Sequence, residues 1–148
     1  MSSITRFESR TAKVNYSSEV VYNFATDLRN FRQFVPADSF NEVDFTQDSC
    51  SFRANTLGTV TIQLKEKIMF SKIILSGNAL LQNEFLIIIF LQETPDKHSE
   101  IKLSFEAEMN PLLKMVASEP VKRFLESLVK EMEKFKGWKG ADEYNPPL

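Results

Sequence analysis

Few residues in this 148-residue chain have types that could do chemistry: one histidine, one cysteine and a close pair of glutamates. His98 lies in Thr94-Pro95-Asp96-Lys97-His98-Ser99, a turn that opens a strand. A general base needs an oriented partner and a pocket, whereas a turn predicts an exposed imidazole. Cys50 has no second thiol and no histidine near it in sequence, so a small residue buried or half-buried in a strand describes it better than a nucleophile. Glu106 and Glu108 could pass for an acid pair, yet both fall on the polar parity of their strand, where carboxylates are solvated. One histidine and one cysteine leave no metal constellation beyond a purely carboxylate one, and the four glycines stand singly, so no phosphate-cradling loop is present. No catalytic residue, cofactor or metal is assigned.

Composition narrows the rest. Hydrophobic residues make up 43% and charged residues 26%, ordinary for a folding chain of one-domain length. Thirteen Phe stand against three Tyr and one Trp, and Phe brings apolar area without a polar tip that needs a partner, so a wide apolar interior follows. A net charge of -2 with no basic run argues against nucleic acid as a partner. The N-terminus lacks an apolar leader-like segment, and the most apolar run, Phe85 to Leu91, is far short of the roughly 20 residues of a membrane span. The expectation is a cytoplasmic protein with no membrane span.

Periodicity supplies the elements. Residues 4–16 read as a first strand in which Ala12, Val14 and Tyr16 alternate with polar neighbours, while Phe7 has the opposite parity, so the strand either carries a bulge or buries only its second half. Ser17 or Ser18 caps a short helix carrying Val20, Val21, Phe24 and Leu28; Asp27 caps a second, in which Leu28, Phe31 and Phe34 recur every three residues before Pro36. Six strands follow near 40–46, 49–55, 58–67, 71–77, 83–93 and 98–109, separated by short turns that suit an antiparallel meander. Pro111 to Phe135 returns to helical spacing, with Leu113, Ala117, Phe124, Leu128, Met132 and Phe135 as its apolar stripe; Pro120 predicts either a restart capped by Ser118 or a kink. The domain is expected over 1–136, with an irregular tail over 137–148. The fold class is α+β: a seven-stranded curved antiparallel sheet, two short helices after the first strand, and a long C-terminal helix.

That order resembles the START-like superfamily, also called SRPBCC, whose helix-grip fold includes polyketide cyclase-like and lipid-transfer members. The likeness covers about residues 4–135 and is carried by Val14-Asn15-Tyr16-Ser17-Ser18 with Val20-Val21-Tyr22-Asn23-Phe24, by Asp27-Leu28-Arg29-Asn30-Phe31 through Phe34-Val35-Pro36, and by Ile101-Lys102-Leu103 leading to Met109-Asn110-Pro111. The chain is most similar to small single-domain bacterial members. The resemblance implies a cavity between the long helix and the sheet, of the kind used across the superfamily for sterols, lipids, aromatic polyketides or hormones.

The residues expected to line that cavity are Phe24, Phe31, Phe34, Phe52, Ile62, Leu64, Ile73, Leu75, Phe85, Ile87, Phe105, Met115, Phe124 and Leu128, with Tyr22, Arg53 and Asn83 as candidate polar anchors. The same side chains could equally plug the space. The leading reading is a binder of a small hydrophobic or amphipathic molecule, lipid-like or aromatic. The alternatives are a cyclase- or dehydrase-like enzyme, and an interaction module with no open cavity.

One strand is apolar on both parities, because Leu86, Ile88 and Phe90 alternate with Phe85, Ile87, Ile89 and Leu91. With Ile74 they form an apolar patch on the outer face, which calls for cover. The expected cover is a second subunit or the tail, through Trp138 and Tyr144.

Overall fold

Phe7 and Val14 are both buried, and a bulge is what allows it. In a computed structural model, which describes residues 3–34, 40–54, 58–79 and 83–138, the expected first strand is two segments, β1 (Ser3–Glu8) and β2 (Ala12–Val14). Both pair antiparallel with one long strand, Ser99–Met109, and between Glu8↔Ser104 and Ala12↔Ile101 the first strand carries one residue more than its partner. The extra residue switches parity. Ser9 satisfies the ladder at that point: its N–H donates to the Leu103 carbonyl at 2.8 Å, and its hydroxyl accepts from the Leu103 N–H at 2.9 Å.

Helix α1 (Ser18–Ala25) starts where Ser17 accepts the Val20 N–H at 3.3 Å. The second short helix is 3-10, Leu28–Phe34. Three residues per turn stack Leu28, Phe31 and Phe34 on one side, and all three are buried. The Asp27 carboxylate accepts both the Arg29 backbone N–H (3.1 Å) and its guanidinium (2.6 Å), which holds that carboxyl below its ordinary range.

The meander follows as β3 (Phe40–Phe45), β4 (Ser49–Ala54), β5 (Gly58–Ile68), β6 (Lys72–Ala79), β7 (Asn83–Glu93) and β8 (Ser99–Met109). The eight segments form one antiparallel sheet in the order β1-β8-β7-β6-β5-β4-β3, with β2 also on β8. The long C-terminal helix, α2 (Pro111–Lys134), begins where Asn110 accepts the Leu113 N–H at 2.8 Å. It passes through Pro120 as a single helix. Since it does not restart there, the helical spacing stays continuous and the buried stripe is Ala117, Val121, Leu125, Leu128, Val129 and Met132. This corrects the expected stripe: Leu113, Phe124 and Phe135 are half-buried against the core rather than central to it. The chain has the expected α+β helix-grip architecture. No helix among the described residues is long and apolar enough to cross a membrane.

The tail begins differently from expectation. Trp138 is 1% exposed and packs in the core, its ring centroid 5.2 Å from Phe24, 5.6 Å from Phe34 and 5.3 Å from Phe135. Packing therefore runs two residues past the expected boundary at 136, and Trp138 is inside the grip instead of over the outer sheet face. Tyr144, the other expected cover, lies outside the described residues.

One residue of the outer patch is covered from within. Ile88 is 8% exposed, flanked in register by Ile74 and Ser104. Around it run the ion pairs Arg6–Glu106 (2.7 Å) and Lys102–Glu8 (3.2 Å), while Lys72 Nζ lies 5.7 Å from the Phe90 ring centroid. Long charged side chains cover apolar surface with their stems and keep their heads in water. Ile88 is therefore buried within the described residues of the chain, while Ile74, Leu86 and Phe90 are half-buried.

Candidate functional site

The inner sheet face is built in cross-strand rows. Ile62, Gly77, Phe85 and Ala107 form one row across β5 to β8; Leu64, Leu75, Ile87, Phe105 and Phe7 form the next, reaching β1; Ile73, Ile89 and Leu103 form a third. Directly opposed side chains lie close enough to pack, so each row is a contiguous apolar strip. The Phe85 and Phe105 rings stack at 5.0 Å and Phe7 follows at 6.3 Å, an aromatic run along the wall.

Helix α2 does not lie evenly over this wall. It packs on β8, β2, β1 and the 3-10 helix, and α1 packs on β7 and β8. Arg10 and Lys13 tie its outer side to the sheet: Arg10 pairs with Glu133 at 2.9 Å, and the Lys13 N–H donates to the same carboxylate at 3.1 Å, which holds the Glu133 carboxyl below its usual value. Over β4 to β6 the apolar wall is nevertheless buried, with Phe52 at 6%, Ile62 at 5% and Leu75 at 5% exposure. The interior next to α2, above these three strands, is the candidate site.

The expected lining residues fall in three places. Phe52, Ile62, Ile73, Leu75, Phe85, Ile87 and Phe105 are buried on the sheet, with Leu64 half-buried beside them. Phe24, Phe31 and Phe34 join Phe135 and Trp138 in an aromatic cluster formed by α1, the 3-10 helix and the chain beyond α2, with Phe34 and Phe135 edge to face at 5.2 Å. Leu128 is buried and Phe124 half-buried on α2. Met115 is the exception: it is 77% exposed in the first turns of α2, beside Leu112 at 70% and Val116 at 46%.

The candidate anchors are not brought together. Tyr22 is half-buried with its ring edge-on to Phe70 at 5.4 Å, at the end of the β5–β6 hairpin. Arg53 follows buried Phe52 on β4 and is exposed, so it lies on the wet face and does not reach the interior. Asn83 opens β7 opposite Ala79, and its side chain lies outside the described part.

His98 is 46% exposed, its Nδ1 3.3 Å from an Asp96 carboxylate oxygen, in a turn where Lys97 takes a positive φ of 63°. The Thr94 hydroxyl donates to Asp96 and is the main cause of that carboxyl's lowered pKa. Cys50 is buried, and burial pushes its thiol up to about 11. That is the direction opposite to an activated nucleophile. Among the described residues no group of His, Cys, Asp and Glu could hold a metal.

Two features were not anticipated. Trp138 falls within the expected tail, yet it continues the Phe135 spacing by three residues, a signal that places it in the core. An open groove of about 1180 Å³ crosses the outer face, lined by Thr61, Gln63, Lys65, Ser76, Asn78, Glu84, Leu86, Glu106 and Glu108 and bordered by Ile4. The expected Glu106 and Glu108 pair therefore belongs to the outer face, where Arg6 holds Glu106 at 2.7 Å.

Solved structures share this arrangement. Norcoclaurine synthase from Thalictrum flavum superposes with a TM-score of 0.68 at 10% identity, covering 91% of this chain and 97% of that one. A START superfamily protein from Mycobacterium smegmatis gives 0.57 at 12% identity, covering 87% of this chain and 94% of that one. The fold is the START-like helix grip. A protein of the dynemicin biosynthetic locus gives 0.55 at 10% identity, covering 88% of this chain but 46% of its own length. No family model matches the sequence, and no curated protein matches it. At these identities the START-like likeness is one of architecture.

Proposed function

We propose that this START-like domain binds a small apolar or amphipathic molecule between the sheet and α2 without transforming it. The observation that carries this reading is the buried apolar wall of β4 to β6, which the 3-10 helix meets at β4 while α2 packs chiefly along β8, β2 and β1. A ligand there would gain about 25 cal/mol per Å² of apolar surface removed from water. The absence of chemistry is supported by the placement of the polar candidates: Arg53 on the wet face, His98 in an exposed turn and Cys50 with a raised pKa.

Native mass spectrometry of the purified protein, followed by titration with oleate as a lipid-like probe and 8-anilinonaphthalene-1-sulfonate as an aromatic one, tests the proposal. The expected result is a retained small molecule or a saturable one-to-one complex that Ile62→Trp weakens by filling the wall. A blank spectrum together with no saturable binding of either probe overturns it. Turnover of a bound molecule would move the protein to the cyclase-like alternative.

A further inference from the structure

We propose that the tip of the β5–β6 hairpin is a docking point for an anionic lipid bilayer. The inference does not depend on what the interior binds. The ladder shifts register between Leu64 and Glu66, and beyond that shift every residue from Lys65 to Ser71 is exposed. At the turn Ile68 is 41% exposed, Met69 70% and Phe70 38%, three large apolar side chains in succession where turn positions favour Gly, Asn and Asp. The Ser71 N–H closes the turn on the Ile68 carbonyl at 3.0 Å.

Phe70 has a φ of 61°, a conformation that a bulky residue adopts only at a cost and that glycine would adopt freely. An aromatic side chain is thus displayed at a position whose backbone favours none. Tyr22 supports its ring from α1, edge-on at 5.4 Å, which orients the tip.

Charge identifies the partner. Residues 65–72 carry three lysines, Lys65, Lys67 and Lys72, against the single Glu66, in a protein whose net charge is -2. Strand residues rise about 3.3 Å each, so the lysines sit within roughly 10 Å of the turn, a depth at which ammonium groups meet lipid phosphates while the turn enters the headgroup boundary. A second copy of the chain fits poorly, because a two-fold contact through this tip would set the same lysines against each other. Attachment through one short turn is weak and reversible, which suits a protein that visits a membrane.

Sedimentation of the full chain with vesicles of phosphatidylcholine alone, and of phosphatidylcholine with phosphatidylserine, tests the proposal. Binding is expected only with phosphatidylserine and should fall with salt. Met69→Asp should abolish it, and Lys65→Gln and Lys67→Gln should each weaken it about fivefold, the effect of one basic residue at an anionic surface. Met69 is exposed, so Met69→Asp should leave thermal melting unchanged, and Leu112→Asp on α2 should leave vesicle binding unchanged. Equal binding to the two vesicle types, no binding to either, wild-type binding by Met69→Asp, or loss through Leu112→Asp would each overturn the proposal. So would light scattering that shows a dimer dispersed by Met69→Asp without vesicle binding.

Discussion

Phe85 faces Gly77 across the β6–β7 ladder, and its ring occupies the space where a side chain at 77 would stand. A Cβ at 77 would fall within the contact radius of that ring and lie 2.8 Å from the Thr61 carbonyl oxygen. The ring can shift, but the backbone oxygen cannot do so cheaply. Gly77→Ala should therefore destabilise the protein by about 1–3 kcal/mol, seen as a lower urea midpoint with an unchanged slope. Phe85→Leu should vacate part of the space, so the double variant should lose less than the sum of the singles.

Trp138 is the only tryptophan, which makes the aromatic end of the grip observable by itself. Its emission should be blue-shifted in the folded protein and move to the red on unfolding. Trp138→Ala should cost about 3–5 kcal/mol, as for other large core truncations. Trp138→Phe should cost much less, because the indole N–H is buried without a partner among the described residues and its removal deletes an unsatisfied donor. Chemical denaturation of both variants checks the order.

Stability should fall in acid through Asp27 and Glu133. Both have folded pKa values below the ordinary 3.8 and 4.5, held there first by the Arg29 and Arg10 guanidinium groups respectively. A lowered folded pKa contributes stability that is present above the unfolded value and is lost as pH falls through the folded one. The loss should therefore begin near the ordinary values and continue below them. Asp27→Asn and Glu133→Gln should each flatten the curve in that window and leave its neutral plateau shape unchanged, as measured by melting temperature against pH.

Cys50 should be chemically silent in the native protein. With its pKa at about 11, roughly one thiol in a thousand is ionised at pH 8, and its strand keeps it buried. Reaction with 5,5'-dithiobis(2-nitrobenzoate) should be slow in buffer and become stoichiometric in denaturant. Prompt reaction of the folded protein would show that this strand opens.

Local pattern determined most of the architecture. The six meander strands appear within a residue or two of their alternating segments, because a side-chain period of two and short turns leave an antiparallel ladder little choice. Ser17, one of the two expected caps, starts α1 through a hydrogen bond spanning three residues; Asn110 starts α2 in the same way, a cap not among those expected. The opposed parities of Phe7 and Val14 left a bulge or a half-buried strand as the two choices, and the register against β8 decides for the bulge.

Tertiary structure decided what local pattern leaves degenerate. Phe34 and Phe52 are equally apolar, yet one joins the aromatic cluster and the other the sheet wall, since chain path and register choose their neighbours. Arg53 was a candidate anchor, and β4 puts it on the wet face beside the buried Phe52; Met115 was expected to line the cavity, and the direction of α2 leaves it outside. Ile88 looked uncovered because the ion pairs beside it join residues about a hundred positions apart. Sequence spacing records which residues share a face of one element; which faces meet, and what is left between them, depends on contacts between residues distant in the chain.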